Sequence, residues 1–236
     1  MALPKLNDTP KYNVTIPSMG KRVKFRPYLV KEEKILMMAV ESGDVKQSLS
    51  AVVDTIEACI TDKFDASKLT TFDVEYLFTQ IRAKSSGESV RIRLACTECE
   101  ELNEVAIQLD QLKVKVPKTQ KLHQLSENIS IELRYPPYEV LLNHDFETEE
   151  ESNAEKSFSI AAQCIDAIIH DDERIDNSEC SPEELREFLE SMTTDQFKLV
   201  SDFVEGMPRL KHDINFDCMS CQHSNKLTLE GMQSFF

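Results

Sequence analysis

RIRLACTECEELNEVAIQL (91–109) and DINFDCMSCQHSNKLTLEG (213–231) are two copies of one pattern. Two and four residues before each leading cysteine stand Leu94 and Ile92 in the first copy, Phe216 and Ile214 in the second. Four residues after each trailing cysteine stands an asparagine, Asn103 or Asn225. Val105 and Ile107 follow the first at alternating positions, Leu227 and Leu229 the second. Apolar alternation on both sides of a short polar turn predicts a β-hairpin with Cys-x-x-Cys at its tip. The chain therefore carries this hairpin twice.

A Cys-x-x-Cys tip aims two thiolates at one point, and two tips supply the four tetrahedral ligands that structural zinc prefers. Cys96, Cys99, Cys218 and Cys221 are the expected ligands of one Zn²⁺, in the manner of a zinc ribbon. A complete Cys₄ set leaves the metal no open position for water, so the site would be structural. The usual spacing between the two pairs is about 15–20 residues. Here 118 residues separate Cys99 from Cys218, so the ribbon is split around a large insertion. Two other readings stand beside zinc: a redox pair, or unligated cysteines. The redox reading needs Cys-x-x-Cys at a helix N-terminus, where the thiol pKa falls, and neither copy opens a predicted helix. His223 is a reserve ligand if a Cys-x-His corner replaces one pair. Cys59, Cys164 and Cys180 have no partner at metal spacing and read as packed or surface thiols.

Outward from the hairpins, the period changes. Residues 1–30 alternate, with Val14/Ile16 and Val23/Phe25 on one face and Pro17, Ser18 and Gly20 in a turn. Helices are expected from Val30 to Gly43, from Asp44 to Ile60, and after a Thr70 or Thr71 cap. NISIELRY (128–135) is a further strand, and 151–170, 182–191 and 194–205 read as helices. Ser181, Pro182 and Glu184 form a capping signature. The fold class is α+β, with segregated layers. It comprises an N-terminal β-hairpin (1–30), a helical layer (31–84), and the split zinc-ribbon hairpins (88–110 and 212–231). Between the hairpins lies a mostly helical insertion, acidic over 145–206. One domain over 1–236 is expected.

Net charge is −15, and it is unevenly spread. The first 34 residues carry eight lysines and arginines against Asp8, Glu32 and Glu33, so the rest of the chain is strongly acidic. An acidic body repels phosphate backbones, and Glu98, Glu100, Glu101 and Glu104 crowd the first hairpin, which argues against nucleic acid. The basic N-terminus is a solvated face or a surface for an acidic partner. No apolar run approaches the ~20 residues of a membrane helix, and no secretory leader is expected. Nucleotide, metalloprotease and serine-hydrolase motifs are absent, so neither catalysis nor a small-molecule substrate has support. HDDERIDNSE (170–179) fails the EF-hand pattern and reads as an acidic inter-helix loop. The stripes Leu185/Phe188/Leu189/Met192 and Phe197/Val200/Phe203/Val204 read as core, with a partner-docking face as the rival.

TIPSMGKRVKFRPYLVKEEKILMMAVESGD (15–44), TTFDVEYLFTQIRAKSSGE (70–88) and FVEGMPRLKHDINFDCMSC (203–221) resemble the T4-type phage baseplate protein family. FRPYLVKEEK (25–34), FDVEYLFTQIR (72–82) and MPRL (207–210) carry the resemblance most specifically, and it extends over nearly the full length. The family includes the small baseplate hub subunit and the hub-assembly factor of contractile-tailed phages. The resemblance implies a non-enzymatic protein that holds other hub and tail-assembly proteins. It would act as a transient assembly chaperone or as a retained hub subunit, in the cytoplasm of the infected bacterial host or in the virion baseplate. No catalytic residues come with the family.

Overall fold

A computed structural model describes residues 9–118, 120–143, 152–171 and 173–231. The first eight residues of the N-terminal region and residues 144–151 of the acidic insert, His144 included, lie outside them. The chain divides into two compact units, one built from 1–115 with 209–236, the other from 116–208. The single expected domain thus carries its insertion as a unit with its own core.

The first unit opens with strands β1 (Tyr12–Thr15) and β2 (Arg22–Phe25), paired antiparallel with Val14 opposite Val23. Val14, Ile16, Val23 and Phe25 are buried, as the alternation predicts. Helix α1 (Val30–Ser42) ends at Gly43, whose φ of 70° is the left-handed conformation that glycine adopts without strain. Glu32 in its first turn accepts from the Leu29 N–H at 2.7 Å and from Arg26 at 2.9 Å. Asp44 caps α2 (Val45–Cys59), accepting from the Lys46 and Gln47 N–H groups. Thr70, one of the two expected caps, starts α3 (Thr71–Ser86) in a capping box with Asp73. The buried Asp73 carboxylate also accepts from the Ser18 N–H at 2.9 Å and the Ser18 hydroxyl at 2.5 Å. One carboxylate therefore ties the N-terminal turn to the start of α3.

The two repeated hairpins complete this unit. Strand β3 (Ser89–Ala95) pairs with β4 (Leu102–Gln108), and near the C-terminus β9 (Lys211–Asp217) pairs with β10 (Ser224–Glu230). Their registers are equivalent: Leu94 faces Asn103, and Phe216 faces Asn225. Ile92, Leu94, Val105 and Ile107 of one hairpin and Ile214, Phe216 and Leu229 of the other share one apolar cluster. Where the chain leaves for the insert and returns, Lys113 and Lys211 form an antiparallel bridge. That backbone pairing already joins the two ends of the excursion.

The inserted unit departs from the expected helical reading. Its centre is a four-stranded antiparallel sheet in sequential order. The strands are β5 (Leu122–Gln124), β6 (Ile129–Leu133), β7 (Ile165–His170) and β8 (Glu173–Asp176). Helix α4 (Tyr138–Asn143) follows β6; α5 (Asn153–Gln163) precedes β7, and α6 (Pro182–Glu190) and α7 (Thr194–Glu205) follow β8. The helix expected over 151–170 therefore ends at Gln163, and its second half is β7. Phe158, Ala161, Ile165 and Ile168 fit a 3.6-residue period, but Ile165 and Ala167 also fit a period of two and are buried. β-branched isoleucines at 165, 168 and 169 favour the strand once β6 offers its edge for pairing. The acidic loop expected at 170–179 is likewise replaced by a turn, β8 and a short helical turn. Arg174 on β8 bonds Asp176 at 2.8 Å, Asp166 of β7 at 3.2 Å, and Glu132 of β6. This cross-strand cation makes an acidic ribbon tolerable. Leu185, Leu189, Val200 and Phe203 of the two stripes are buried in the core with Ile131, Leu133 and Ile165, and Phe188, Met192, Phe197 and Val204 pack half-buried against it, which favours the core reading.

Candidate metal centre

Each hairpin tip is built the same way. The Cys96 N–H donates to the Glu101 carbonyl at 2.9 Å, and the Glu100 N–H to the Cys96 carbonyl at 3.0 Å. In the second copy Cys218 donates to His223 at 2.9 Å, and Gln222 to Cys218 at 2.9 Å. Glu100 and Gln222 both have φ of 60°, the left-handed step that curls each tip back over its leading cysteine. The repeat read from sequence is thus a repeat in backbone geometry.

The tips bring their sulfurs together. Cys96 Sγ lies 3.7 Å from Cys221 Sγ, and Cys99 Sγ lies 3.6 Å from Cys218 Sγ. All four sulfurs lie within 4.8 Å of one another, an arrangement that could hold a metal ion. These separations are far beyond a disulfide, about 2.05 Å. Cys96 and Cys218 are buried at 2 % exposure, while Cys99 and Cys221 are exposed. All four expected ligands converge. His223 is outside the cluster and contributes its backbone carbonyl. Neither Cys-x-x-Cys opens a helix, so the dipole that activates redox cysteines is missing here.

Two asparagines cross between the copies. Asn103 Nδ2 donates to Cys218 Sγ at 3.6 Å, and its Oδ1 accepts from the Met219 N–H at 2.9 Å. Asn225 Nδ2 donates to Cys96 Sγ at 3.5 Å, and its Oδ1 accepts from the Thr97 N–H at 2.9 Å. Both are buried. The sequence repeat places an asparagine four residues past each pair, but only the tertiary arrangement assigns it to the opposite hairpin.

The same donors set the thiol chemistry. The Cys221 N–H, aided by Ser220 and Asn103 and opposed by burial, pulls the Cys218 thiol down to about 6. Burial works against Cys96, yet the N–H groups of Cys99 and Glu98 and the Asn225 amide hold it below its usual range. The Glu101 N–H favours the Cys99 thiolate, but Cys221, burial, Cys218 and Cys96 outweigh it and raise that thiol to about 12. Four sulfurs this close cannot all ionise alone, and a cation at their centre removes the conflict. The remaining thiols are quiet: burial pushes Cys59 up to about 11 and Cys164 up to about 12.

An α+β fold closed by a four-thiol knot between duplicated hairpins defines a protein that joins distant parts of its own chain. The family profile for the T4 bacteriophage base plate protein matches residues 9–236, and the chain belongs to that family. No curated protein and no solved structure gives a significant match. Among the described residues no helix is long and apolar enough to cross a membrane.

Proposed function

We propose that this chain is a non-enzymatic assembly protein of the baseplate hub, closed by one structural Zn²⁺ on Cys96, Cys99, Cys218 and Cys221. The observation that carries the metal is the pair of sulfur separations, 3.7 and 3.6 Å. A tetrahedron of sulfurs about 2.3 Å from zinc has edges of about 3.8 Å. The knot is a zinc ribbon split by the inserted unit. With all four positions taken by sulfur, the metal has no site for substrate, and its work is to hold the hairpins together. Membership of the baseplate family supports hub and tail-assembly proteins as partners. The acidic surface suits a transient chaperone, since like charge keeps such a protein soluble beside sticky components.

Native mass spectrometry tests the metal: one zinc per chain is expected, lost in the Cys218→Ser, Cys221→Ser double variant. Iron, the other metal for a tetrahedral S₄ set, would announce itself by visible absorbance. Mass spectrometry of purified particles tests the role. Absence of the chain from mature virions fits the chaperone; stoichiometric presence makes it a retained hub subunit instead.

A further inference from the structure

Among the described residues, several exposed large apolar side chains gather on α1. Met37, Met38 and Val40 of α1 are 58 %, 59 % and 73 % exposed. One face of α1 forms a wall of a cleft of about 1020 Å³ through Leu36, Met37 and Val40. The facing wall comes from α2, through Val45, Leu49 and Val52. Val74 and Phe78 of α3, spaced one helical turn apart, make the floor. Each helix thus turns residues at helical spacing toward one trough, in the way three helices of a bundle face an absent fourth. The charged residues of the lining are the carboxylates Glu33, Glu41, Glu75 and Glu230, and the cation Arg82. Glu230 also bonds Lys211 and Arg209. All of these residues belong to the first unit.

We propose that this cleft is the docking site for an amphipathic helix of a partner protein, with an apolar face flanked by lysine or arginine. The helical spacing of the lining residues selects a helix, with anchors at i, i+3, i+4 and i+7. The α1 carboxylates on its lining, Glu33 and Glu41, select basic flanks. The flexible Met37 on the wall lets it accept anchors of differing shape. The inference extends the assembly reading by naming the partner's chemistry, and it is independent of the metal knot.

The test uses the full chain and two synthetic helical peptides of about 18 residues, or about five turns. They share one Leu/Phe face; one carries Lys on its flanks and the other Glu. Fluorescence anisotropy is expected to show the Lys peptide binding at least about tenfold more tightly, with affinity falling as salt rises. Met37→Glu and Val40→Glu are each expected to weaken it by about tenfold or more. Val30→Glu, on the same helix but outside the cleft and 79 % exposed, leaves it unchanged. The substituted side chains are exposed, so the variants fold, and melting curves check this. Equal binding of both peptides, no binding, or binding indifferent to Met37→Glu overturns the proposal. So does a homodimer in sedimentation that Met37→Glu dissolves, because a second copy would then be the occupant. Zinc content measured on the same samples keeps this outcome separate from the fate of the metal reading.

Discussion

Asn103 and Asn225 exchange hairpins: each stands on one copy of the repeat and donates its amide to the leading cysteine of the other, at 3.6 and 3.5 Å. Each also accepts a backbone N–H from that opposite tip, at 2.9 Å. The knot is therefore held by hydrogen bonds as well as by whatever its sulfurs bind. Outer partners of this kind orient metal ligands and tune their basicity.

Asn103→Ala and Asn225→Ala should each lower zinc affinity by about 10–100-fold, the range typical of such partners. Competition with a chromophoric chelator measures it. Asn225→Asp, which keeps the acceptor for Thr97 but removes the donor to Cys96, should fall with the alanine variant. If it behaves as wild type, the amide–sulfur bond contributes nothing.

Chelation should act on one unit. The four cysteines and the strands that carry them all lie in 1–115 and 209–236, while α5, α6 and α7 belong to 116–208. Stripping the proposed zinc is expected to speed amide exchange in β3, β4, β9 and β10 and to leave α6 and α7 protected. Hydrogen exchange read by mass spectrometry gives both answers in one experiment. Loss of protection in both units would mean that the knot stabilises the whole chain.

Asp73→Ala should destabilise the first unit by about 2–4 kcal/mol, because it strands the buried donors of Thr70 and the half-buried donors of Ser18 together. Urea denaturation followed by circular dichroism tests the size of the effect. Asp73→Asn, which keeps the shape and one acceptor oxygen, should recover part of it.

Stability at acid pH should bear the mark of Glu32. Burial alone would raise its pKa, but Arg26, the Leu29 N–H and Lys31 overcome that and lower it to about 2. A carboxyl depressed on folding contributes stability that is full above its unfolded pKa of about 4.3 and is lost as pH falls toward 2. The upper limit of that contribution is about 3 kcal/mol. Glu32→Gln should flatten the wild-type slope between about pH 4.5 and 2 in denaturation midpoints, and should leave the metal untouched. An unchanged slope would show that the carboxylate has no special partner in solution.

Local signals were readable because local physics produces them. Gly43 after a helical run, Thr70 ahead of FDVEYLF, and Ser181-Pro182 ahead of an apolar stripe announce helix ends through backbone groups that need partners nearby. The paired hairpins were readable because a period of two and a repeated Cys-x-x-Cys leave little other reading. The second half of 151–170 was not, since its spacing fits helix and strand alike and only the edge of β6 decides between them. The clean stripes of α6 and α7 read as core, with a docking face as the rival, and they pack with the core of the inserted unit. The open face lies on α1, where apolar residues occupy several sides and no single stripe emerges.

By itself the sequence determined the repeat, its four candidate ligands, most helix boundaries and the acidic character of the chain. The helix boundaries and each hairpin rest on residues within a few positions of one another, the repeat on matching two such segments, and the acidic character on composition alone. Only the tertiary structure decided that the insert is a sheet-centred unit, that Lys113 and Lys211 join its ends, and that the asparagines cross. It also decided which apolar helix stays uncovered. Those outcomes depend on which edges and faces meet across separations from a few dozen residues to more than a hundred, and no local pattern encodes such a meeting.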